Sequence, residues 1–403
     1  MIISKTNKIL VFTATYNEKD NISLFLERVW GVVPSADILV VDDNSPDGTG
    51  ILLDKIAQRD LRLKVIHRSG KMGLGTAHHL GMLFAIRNEY SSLITMDADL
   101  SHDPSDIPAL LNGLTAFDFV IGSRYMKGGS CDYKGYRRNV SLSANLAARK
   151  LLGIPLHEFT TSFRAFQVSK LMQVNFAKLH NNGYSFFMES VYRFSQAGLS
   201  LSECPINFRD RYAGTSKIPS FEIFRGIGKL LQLTISRLLR REMRDPNPAI
   251  LDSCGNCGGA YLSTRFPSQM DSPSSLQRAD DFRCSSMAHA RKPTVAICMV
   301  CGLAQIPRSE QAQDLSSLYA DVVDESYLSD LKVKRSTFSN AFKRIAPFLP
   351  STGVMLEVGS YCGLFLQEAI HRGWRVIGVE PSTWAMEYAK STSNISLDII
   401  NSD

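Results

Sequence analysis

Between residues 8 and 215, short apolar runs alternate with amphipathic stretches, and this alternation limits the chain to few architectures. The runs 9–14, 38–42, 64–67, 92–96 and 117–122 are β-rich and end in polar turns. The stretches 21–33, 48–59 and 76–89 between them carry helical periodicity. Strand followed by helix, repeated, predicts an α/β fold whose mostly parallel sheet is covered on both faces. A composition shift at Asp245-Pro246-Asn247-Pro248 predicts a linker. Beyond it, residues 250–310 carry paired cysteines around a Ser/Pro/Asp-rich loop at 263–281. From about Thr337 the chain turns helical and then gives one strand–glycine turn–helix–strand unit, 354–380. The expected divisions are 1–245, 246–310 and 311–403.

Composition excludes several classes. Hydrophobic residues make up 44% and charged residues 21% of the 403, the mix of a soluble globular protein rather than a disordered or collagenous one. Eight cysteines are too few for a disulfide scaffold. No apolar run approaches the ~18 residues that cross a bilayer. Lys5 and Lys8 flank a short run that reads as a first strand, so no signal peptide is expected. A net charge of +6 permits an anionic partner, a phosphate ligand or a membrane surface, without demanding nucleic acid, and no nucleic-acid partner is expected.

In an open parallel sheet, ligands bind beyond the carboxyl ends of the strands. Three polar signatures fall there. The first run ends in Thr15-Tyr16-Asn17-Glu18, the second in Asp42-Asp43-Asn44-Ser45-Pro46-Asp47-Gly48, the fourth in Asp97-Ala98-Asp99. Two carboxylates two residues apart, leaving an apolar strand, suit a hard divalent cation bridging a diphosphate. One such pair is weak evidence; three acidic strand ends in one sheet are harder to read as plain turns.

These motifs resemble one family in order and spacing. Ala14-Thr15-Tyr16-Asn17-Glu18, Val41-Asp42-Asp43-Asn44, Met96-Asp97-Ala98-Asp99-Leu100-Ser101-His102, Gly122-Ser123-Arg124-Tyr125 and Asp210-Arg211-Tyr212-Ala213-Gly214-Thr215-Ser216-Lys217 are similar to dolichol-phosphate (polyprenol-phosphate) mannose synthases. Those are inverting family 2 glycosyltransferases with the nucleotide-diphosphosugar transferase (GT-A) fold, and the resemblance covers about residues 8–240. One departure is Ala14, where the family usually has proline. The resemblance implies that Ala14, Tyr16, Glu18, Val41 and Asp43, with Asp97 and Ala98, line the nucleotide. Asp97, Asp99 and Ser101 would surround Mg²⁺ or Mn²⁺. Arg124, Arg211 and Lys217 would meet the diphosphate or lipid phosphate, and together with Asp97 and Asp99 they form the expected catalytic set. The 210–217 loop would close over the donor as a lid.

The implied reaction transfers mannose from GDP-mannose to a dolichyl or polyprenyl phosphate with inversion. Glucosyl or other hexosyl transfer is the alternative within this class. A phosphate monoester is largely ionised near pH 7, so no catalytic base is nominated. Catalysis would consist of alignment and of neutralising the departing diphosphate.

Other features read more plainly. Gly73-Leu74-Gly75 does not complete a dinucleotide fingerprint and is expected to be a tight turn. His78, His79, His102 and His157 lack metal-ligand spacing. Arg137 and Arg138 stand either as lipid-phosphate ligands or as a solvated helix start. In 221–244, apolar residues at helical spacing lie among Arg225, Lys229, Arg237, Arg240, Arg241 and Arg244. Such a helix either rests in an anionic membrane interface or packs its stripe on the domain. A lipid-linked substrate favours the former, with the protein peripheral at the cytoplasmic face, directly or through a membrane-anchoring partner.

The C-terminal part is a second system. Cys254-Gly255-Asn256-Cys257 and Cys298-Met299-Val300-Cys301 are two knuckles whose four thiolates suit tetrahedral zinc. Cys284 and His289 are spare ligands, while Cys131, Cys204 and Cys362 read as unreactive thiols. Glu357, Gly359, Gly363 and Glu380 form a strand–glycine turn–helix–strand–acid series that suits a nucleoside. The stretch resembles the opening motifs of class I S-adenosylmethionine-dependent methyltransferases, and the zinc ribbon ahead of it resembles sugar C-methyltransferases. The resemblance implies that Glu357, Gly359 and Gly363 face the methionine part of the cofactor and Glu380 its ribose. The chain stops at Asp403, leaving room for about three strands, so an incomplete fragment that does not transfer methyl groups is expected. The competing reading makes these zinc and nucleoside modules the functional unit.

Overall fold

The computed structural model describes residues 8–132, 135–176, 179, 183, 185–209, 212, 222–239, 252–268, 294–308, 319–320, 322–392 and 398–400, with backbone alone at 137, 222–224 and 398–400. Two compact units are present: residues 1–267 with 295–307, and residues 268–294 with 308–403.

The first unit is built on a seven-stranded sheet. Its strands are β1 (Ile9–Thr15), β2 (Asp37–Asp42), β3 (Leu63–His67), β4 (Ser92–Thr95), β5 (Phe119–Ser123), β7 (Arg164–Gln167) and β8 (Leu201–Pro205). They lie in the order β3-β2-β1-β4-β7-β5-β8. All neighbours run parallel except β7, which is antiparallel to both β4 and β5. Two further short strands, β6 (Ser130–Cys131) and β9 (Asn207–Phe208), pair parallel with each other in a separate ladder. Strands β1 and β2 are near-continuous apolar runs because both faces are covered, as parallel sheets require. On one face Phe12, Leu39, Phe119 and Phe166 join a core with Leu80, Leu83, Phe186 and Phe194. On the other, Val11, Ile38, Val40, Ile94 and Val120 pack on Ile22, Phe25, Leu26 and Leu110.

Helices α1 (Lys19–Val32), α2 (Thr49–Ala57), α3 (Leu74–Arg87) and α4 (Ile107–Gly113) fill the connections. Helix α3 lies hard against β1: a Cβ at Gly81 would sit 2.6 Å from the Phe12 ring, so only glycine fits this crossing. Helix α5 (Tyr136–Leu152) takes Arg138 into its first turn. Short α6 (Val168–Leu171) and α7 (Ser185–Gln196) follow β7, and α8 (Glu222–Leu238) packs on both α5 and α7.

A three-stranded antiparallel ribbon completes this unit: β10 (Leu262–Phe266), β11 (Val295–Cys298) and β12 (Ala304–Gln305). Ser263–Phe266, expected at the start of a loop, is therefore strand; its partner β11 supplies the ladder that the local sequence does not announce.

The second unit carries a helix, Leu331–Ile345, and a parallel sheet of β13 (Val354–Val358), β14 (Arg375–Val379) and β15 (Asp398–Ile400). Helices Leu364–Ile370 and Thr383–Thr392 make the crossovers. Edge strand β13 turns Val354, Leu356 and Val358 to solvent while Met355 packs inward.

Candidate active site at the carboxyl edge of the sheet

The turns after β1, β2 and β4 all leave the same edge of the sheet, because these three strands are parallel neighbours. Each turn contains a non-glycine residue in the left-handed region: Asn17 at φ 58°, Asn44 at 56° and Leu100 at 61°. Asparagine tolerates that conformation; leucine does not, and such strain concentrates where a backbone must present groups to a ligand.

The β2 turn divides its carboxylates between two tasks. Asp42 accepts from the Thr15 hydroxyl at 2.9 Å, the Ser45 N–H at 2.9 Å and the Ser45 hydroxyl. Asp47 accepts from the Thr49 N–H and hydroxyl and from the Lys19 N–H. These two carboxylates tie the turns together. Asp43 is different: it is buried and paired with Arg68, which also reaches the Thr76 hydroxyl at 2.6 Å and the Gly73 carbonyl at 3.2 Å. Burial raises the Asp43 carboxyl above its ordinary pKa, with Arg68 pulling the other way. Tyr16 lies under the Lys71 ammonium, 4.1 Å from its ring centre. Ala14 is partly buried and Val41 fully buried in the sheet beside them. The Glu18 carboxylate accepts from the Asn21 side chain at 2.7 Å, and its N–H donates to Thr49.

The β4 turn holds the second acidic pair. Asp97 is partly exposed, Ala98 and Asp99 are buried, and Asp99 Oδ1 accepts from the Ser101 N–H at 3.0 Å and hydroxyl at 2.6 Å. Ser101 therefore orients Asp99. Buried His102, between Phe163 and Phe208, accepts from the Asp97 N–H at 3.4 Å and meets the Thr161 hydroxyl at 3.0 Å. The chain leaving β9 anchors on this turn: the Arg209 N–H donates to the Ser101 carbonyl and the Tyr212 N–H to the Asp99 carbonyl. Arg211 and Lys217, which belong to that segment, lie outside the described residues, as does the 213–220 stretch. Two carboxylates on one turn are the donor type that a hard divalent cation takes.

Arg124 is at the end of β5 and buried. Glu158 clasps its guanidinium at 2.7 and 2.9 Å, and Thr160 accepts at 2.9 Å. Burial opposes the charge on Arg124, yet the Glu158 carboxylate holds its pKa above the ordinary value. Glu158, in turn, stays below its ordinary value despite full burial because Arg124 and Thr160 face it.

Sequence reasoning did not single out Arg68, Lys71, Glu158 or Thr160. For Arg68 a signal was available, since it follows β3 directly and so sits at the same edge. No local signal pairs Glu158 with Arg124 across 34 residues. A cavity of about 440 Å³ is lined by Leu146, Arg149, Lys150, Gly153, Ile154 and Pro155, at the last turn of α5 rather than among the acidic turns.

The four cysteines come together. The Sγ atoms of Cys254, Cys257, Cys298 and Cys301 all lie within 4.8 Å of one another. Cys254–Cys301 and Cys257–Cys298 are each 3.6 Å apart, near the ~3.8 Å edge of a tetrahedron with ~2.3 Å zinc–sulfur bonds. The Gly259 and Val300 N–H groups donate to Cys257 and Cys298 sulfurs at 3.4 Å, an arrangement that suits thiolate ligands. Among the described residues this is the one group of three or more such side chains placed to hold an ion. Cys284 and His289 lie outside the described residues.

In the second unit, Gly359 and Gly363 take φ of 76° and 68° and form the expected glycine turn between β13 and the following helix. Glu380 is buried, and its two carboxylate oxygens accept from the Tyr361 N–H at 2.7 Å and the Ser382 N–H at 2.8 Å. These bonds tie the end of β14 to the glycine turn after β13 through Tyr361 and to its own turn through Ser382. Burial, with Glu380 nearby, pushes Glu357 up to about 7.

Fold and site define an α/β glycosyltransferase. Residues 10–174 match glycosyl transferase family 2. Polyprenol monophosphomannose synthase of Mycolicibacterium smegmatis is 39% identical over 242 residues, which are 59% of this chain and 91% of that protein. Undecaprenyl-phosphate mannosyltransferase of Micrococcus luteus is 37% identical over 212 residues, 52% of this chain and 87% of that protein. The chain belongs to glycosyl transferase family 2. Among solved structures, glucosyl-3-phosphoglycerate synthase from Mycobacterium tuberculosis with UDP aligns at a TM-score of 0.42 and 20% identity, over 57% of this chain and 80% of that one. A mannosyltransferase from Pyrobaculum calidifontis in complex with GDP-Man and Mn²⁺ aligns at 0.38 and 15%, over 60% and 67%.

Proposed function

We propose that the chain transfers a mannosyl group from GDP-mannose to a polyprenyl phosphate and inverts the anomeric centre. The observation that carries this reading is the β4 turn, where Asp97 and Ser101-oriented Asp99 share one turn with the anchor of the 210–217 segment. Two relatives named for mannose and polyprenyl phosphate, matched over nearly their whole length, support the substrate class.

The nucleoside would sit over Ala14, Tyr16, Val41 and Asp43, within reach of Glu18. Asp97 and Asp99 would hold Mg²⁺ or Mn²⁺, which neutralises charge on the diphosphate when bound. An acceptor phosphate oxygen attacks the anomeric carbon, the bond to the β-phosphate oxygen breaks, and its electron pair leaves on GDP. The acceptor is already ionised near neutral pH, so no side chain needs to remove a proton. Arg124 would serve the anions chiefly as a positioning residue, because Glu158 already balances its charge.

The lipid acceptor also argues for a peripheral position on the cytoplasmic face of a membrane. Supporting this, α8 exposes Ile227, Leu231, Ile235 and Leu238, and neighbouring α5 exposes Leu142, Leu146 and Leu151. Arg149, Lys150 and Arg237 flank them, and Arg237 donates to the Leu151 carbonyl at 2.9 Å. No helix among the described residues is long and apolar enough to cross a membrane. Zinc is the ion proposed for the four cysteines. The second unit would place Glu357, Gly359 and Gly363 at the methionine part of S-adenosylmethionine and Glu380 at its ribose, and no methyl transfer is expected from it.

A donor panel of GDP-mannose, GDP-glucose and UDP-glucose with a polyprenyl phosphate, scored for lipid-linked product, tests the reaction. Mannosyl lipid with GDP-mannose is the expected product. Product from UDP-glucose instead overturns the donor assignment. Sedimentation with anionic vesicles tests the surface.

A further inference from the structure

We propose that the four-cysteine ribbon is a metal-dependent brace for the donor-nucleotide wall of the transferase; the idea rests on the nucleotide reading above. The ribbon and the sheet belong to one unit. Met299, between the ligand pair Cys298 and Cys301, is buried inside the main transferase core, and Tyr261, Ile297 and Val300 pack against that core. Contacts from the ribbon fall on α3 and on the loop before it. Tyr261 stacks on Phe84 with ring centres 5.8 Å apart. The Ser263 hydroxyl and the His79 ring lie 3.3 Å apart, and Arg87 donates to the Ala260 carbonyl at 3.2 Å.

The other end of α3 forms the donor wall. Its first turn offers Thr76 and Gly73 to Arg68, and Arg68 holds Asp43. The knuckle reaches this end too. Gly302, just after Cys301, sits where a Cβ would lie 3.4 Å from the Met72 methyl, and Met72 adjoins Lys71, the cation over Tyr16. One set of contacts thus runs from the thiolates to both ends of α3 and to the two pairs that frame the nucleotide site.

What keeps Met299 and Gly302 in place is the closure of the knuckles. Cys298 and Gly302 bond across their turn at 2.9 Å. The two knuckles face each other through the four sulfurs, with the Gln305 side chain bonding the Gly255 N–H and the Ser253 carbonyl. Four thiolates so close together repel when ionised, and a cation turns that repulsion into a cross-link whose binding energy is folding energy. Loss of the metal releases the ribbon, unpacks Met299, and loosens the wall that holds Arg68 and Lys71.

The experiment uses the full-length chain, with zinc content, thermal unfolding of the transferase and GDP affinity all measured. Zinc loading is expected at one per chain. Its removal by a chelator, or Cys298→Ser, is expected to lower the melting temperature by at least about 2–4 °C and to weaken GDP binding at least about fivefold. Because Cys298→Ser can fail to fold, a second variant, Met299→Ala with Tyr261→Ala, keeps all four thiols. It should still bind zinc, yet zinc removal should now shift its melting far less than in the parent. The proposal is overturned if the chain takes up no zinc, or if removing bound zinc leaves both melting and GDP affinity unchanged. Failure of the nucleotide reading shows separately, as no GDP binding by the zinc-loaded chain, and the melting shift then decides the brace alone.

Discussion

Glu158 grips Arg124 with both carboxylate oxygens, at 2.7 and 2.9 Å, in a site where the acid is fully buried and the guanidinium nearly so. Arg124 also lies over the Phe208 ring, and Thr160 bonds both partners. The residue that looks by motif like a phosphate ligand is also the centre of a closed ionic network joining β5 to the segment before β7.

Breaking that network from one side leaves a buried, uncompensated charge. Glu158→Gln is expected to destabilise the fold by about 3–5 kcal/mol, and Arg124→Lys by less, because lysine keeps the charge but loses the fork. The Glu158 carboxyl is held below its ordinary pKa, so its stabilisation is present above the unfolded pKa and lost as pH falls through the folded one. Urea unfolding at pH 7 and at pH 3, well below the unfolded carboxyl's pKa, checks both statements. If the Glu158→Gln variant is as stable as the parent at pH 7, the pair is incidental.

The acidic turn after β4 makes a graded prediction. Asp99→Asn keeps the shape that accepts from Ser101 but removes the charge, so transfer should fall by about two orders of magnitude or more. Ser101→Ala leaves both carboxylates and removes only the hydroxyl that orients Asp99, with an expected loss of about tenfold in Mn²⁺ affinity. Manganese titration followed by GDP-dependent protection from unfolding separates the two. Equal effects of both substitutions would contradict the division of labour.

The parts of the site that were legible in the sequence are those written in one turn. Asp42-Asp43, Asp97-Ala98-Asp99 and the strands before them are local: apolar runs set the strand, and the polar break sets its end. The antiparallel course of β7 was not legible, because four residues, Arg164–Gln167, do not encode which neighbours they meet. Nor was the docking of the ribbon, whose Ser263–His79 contact spans 184 residues. The cysteine spacing announced the four-cysteine cluster but not its seat on α3. Glu380 was recognisable as a strand-end acid, but its use by the Tyr361 and Ser382 N–H groups depends on how its turn meets the glycine turn after β13.

The second unit has its own pH dependence. Burial raises Glu357 to about 7, so the folded state holds a proton that the unfolded chain releases near 4.5. A raised acid lowers stability as pH climbs from the unfolded value to the folded one. The unit is therefore expected to lose on the order of 1–3 kcal/mol between pH 5 and pH 7.5. Glu357→Gln should remove most of that slope and stabilise the unit at pH 7.5. Hydrogen exchange of the Val354–Val358 and Arg375–Val379 strands at the two pH values reports it directly. A slope of the opposite sign would mean that Glu357 is ionised and compensated in the fold.

Truncation tests where the transferase ends. A chain cut at residue 245 keeps every strand of the seven-stranded sheet but loses Met299, Tyr261 and the other apolar groups that cover α3. Removing a buried methionine alone costs about 2–5 kcal/mol, and here Phe84 also loses Tyr261, one of the two rings stacked on it. A chain cut at residue 307 keeps both knuckles and all of these contacts. The 1–307 chain with zinc is therefore expected to melt near the full-length transferase transition and to bind GDP with similar affinity. The 1–245 chain should melt several degrees lower, aggregate through the uncovered α3 face and bind GDP more weakly. Side-by-side melting and calorimetric titration decide the point. If 1–245 matches 1–307 in both, the ribbon rests on the transferase without supporting it.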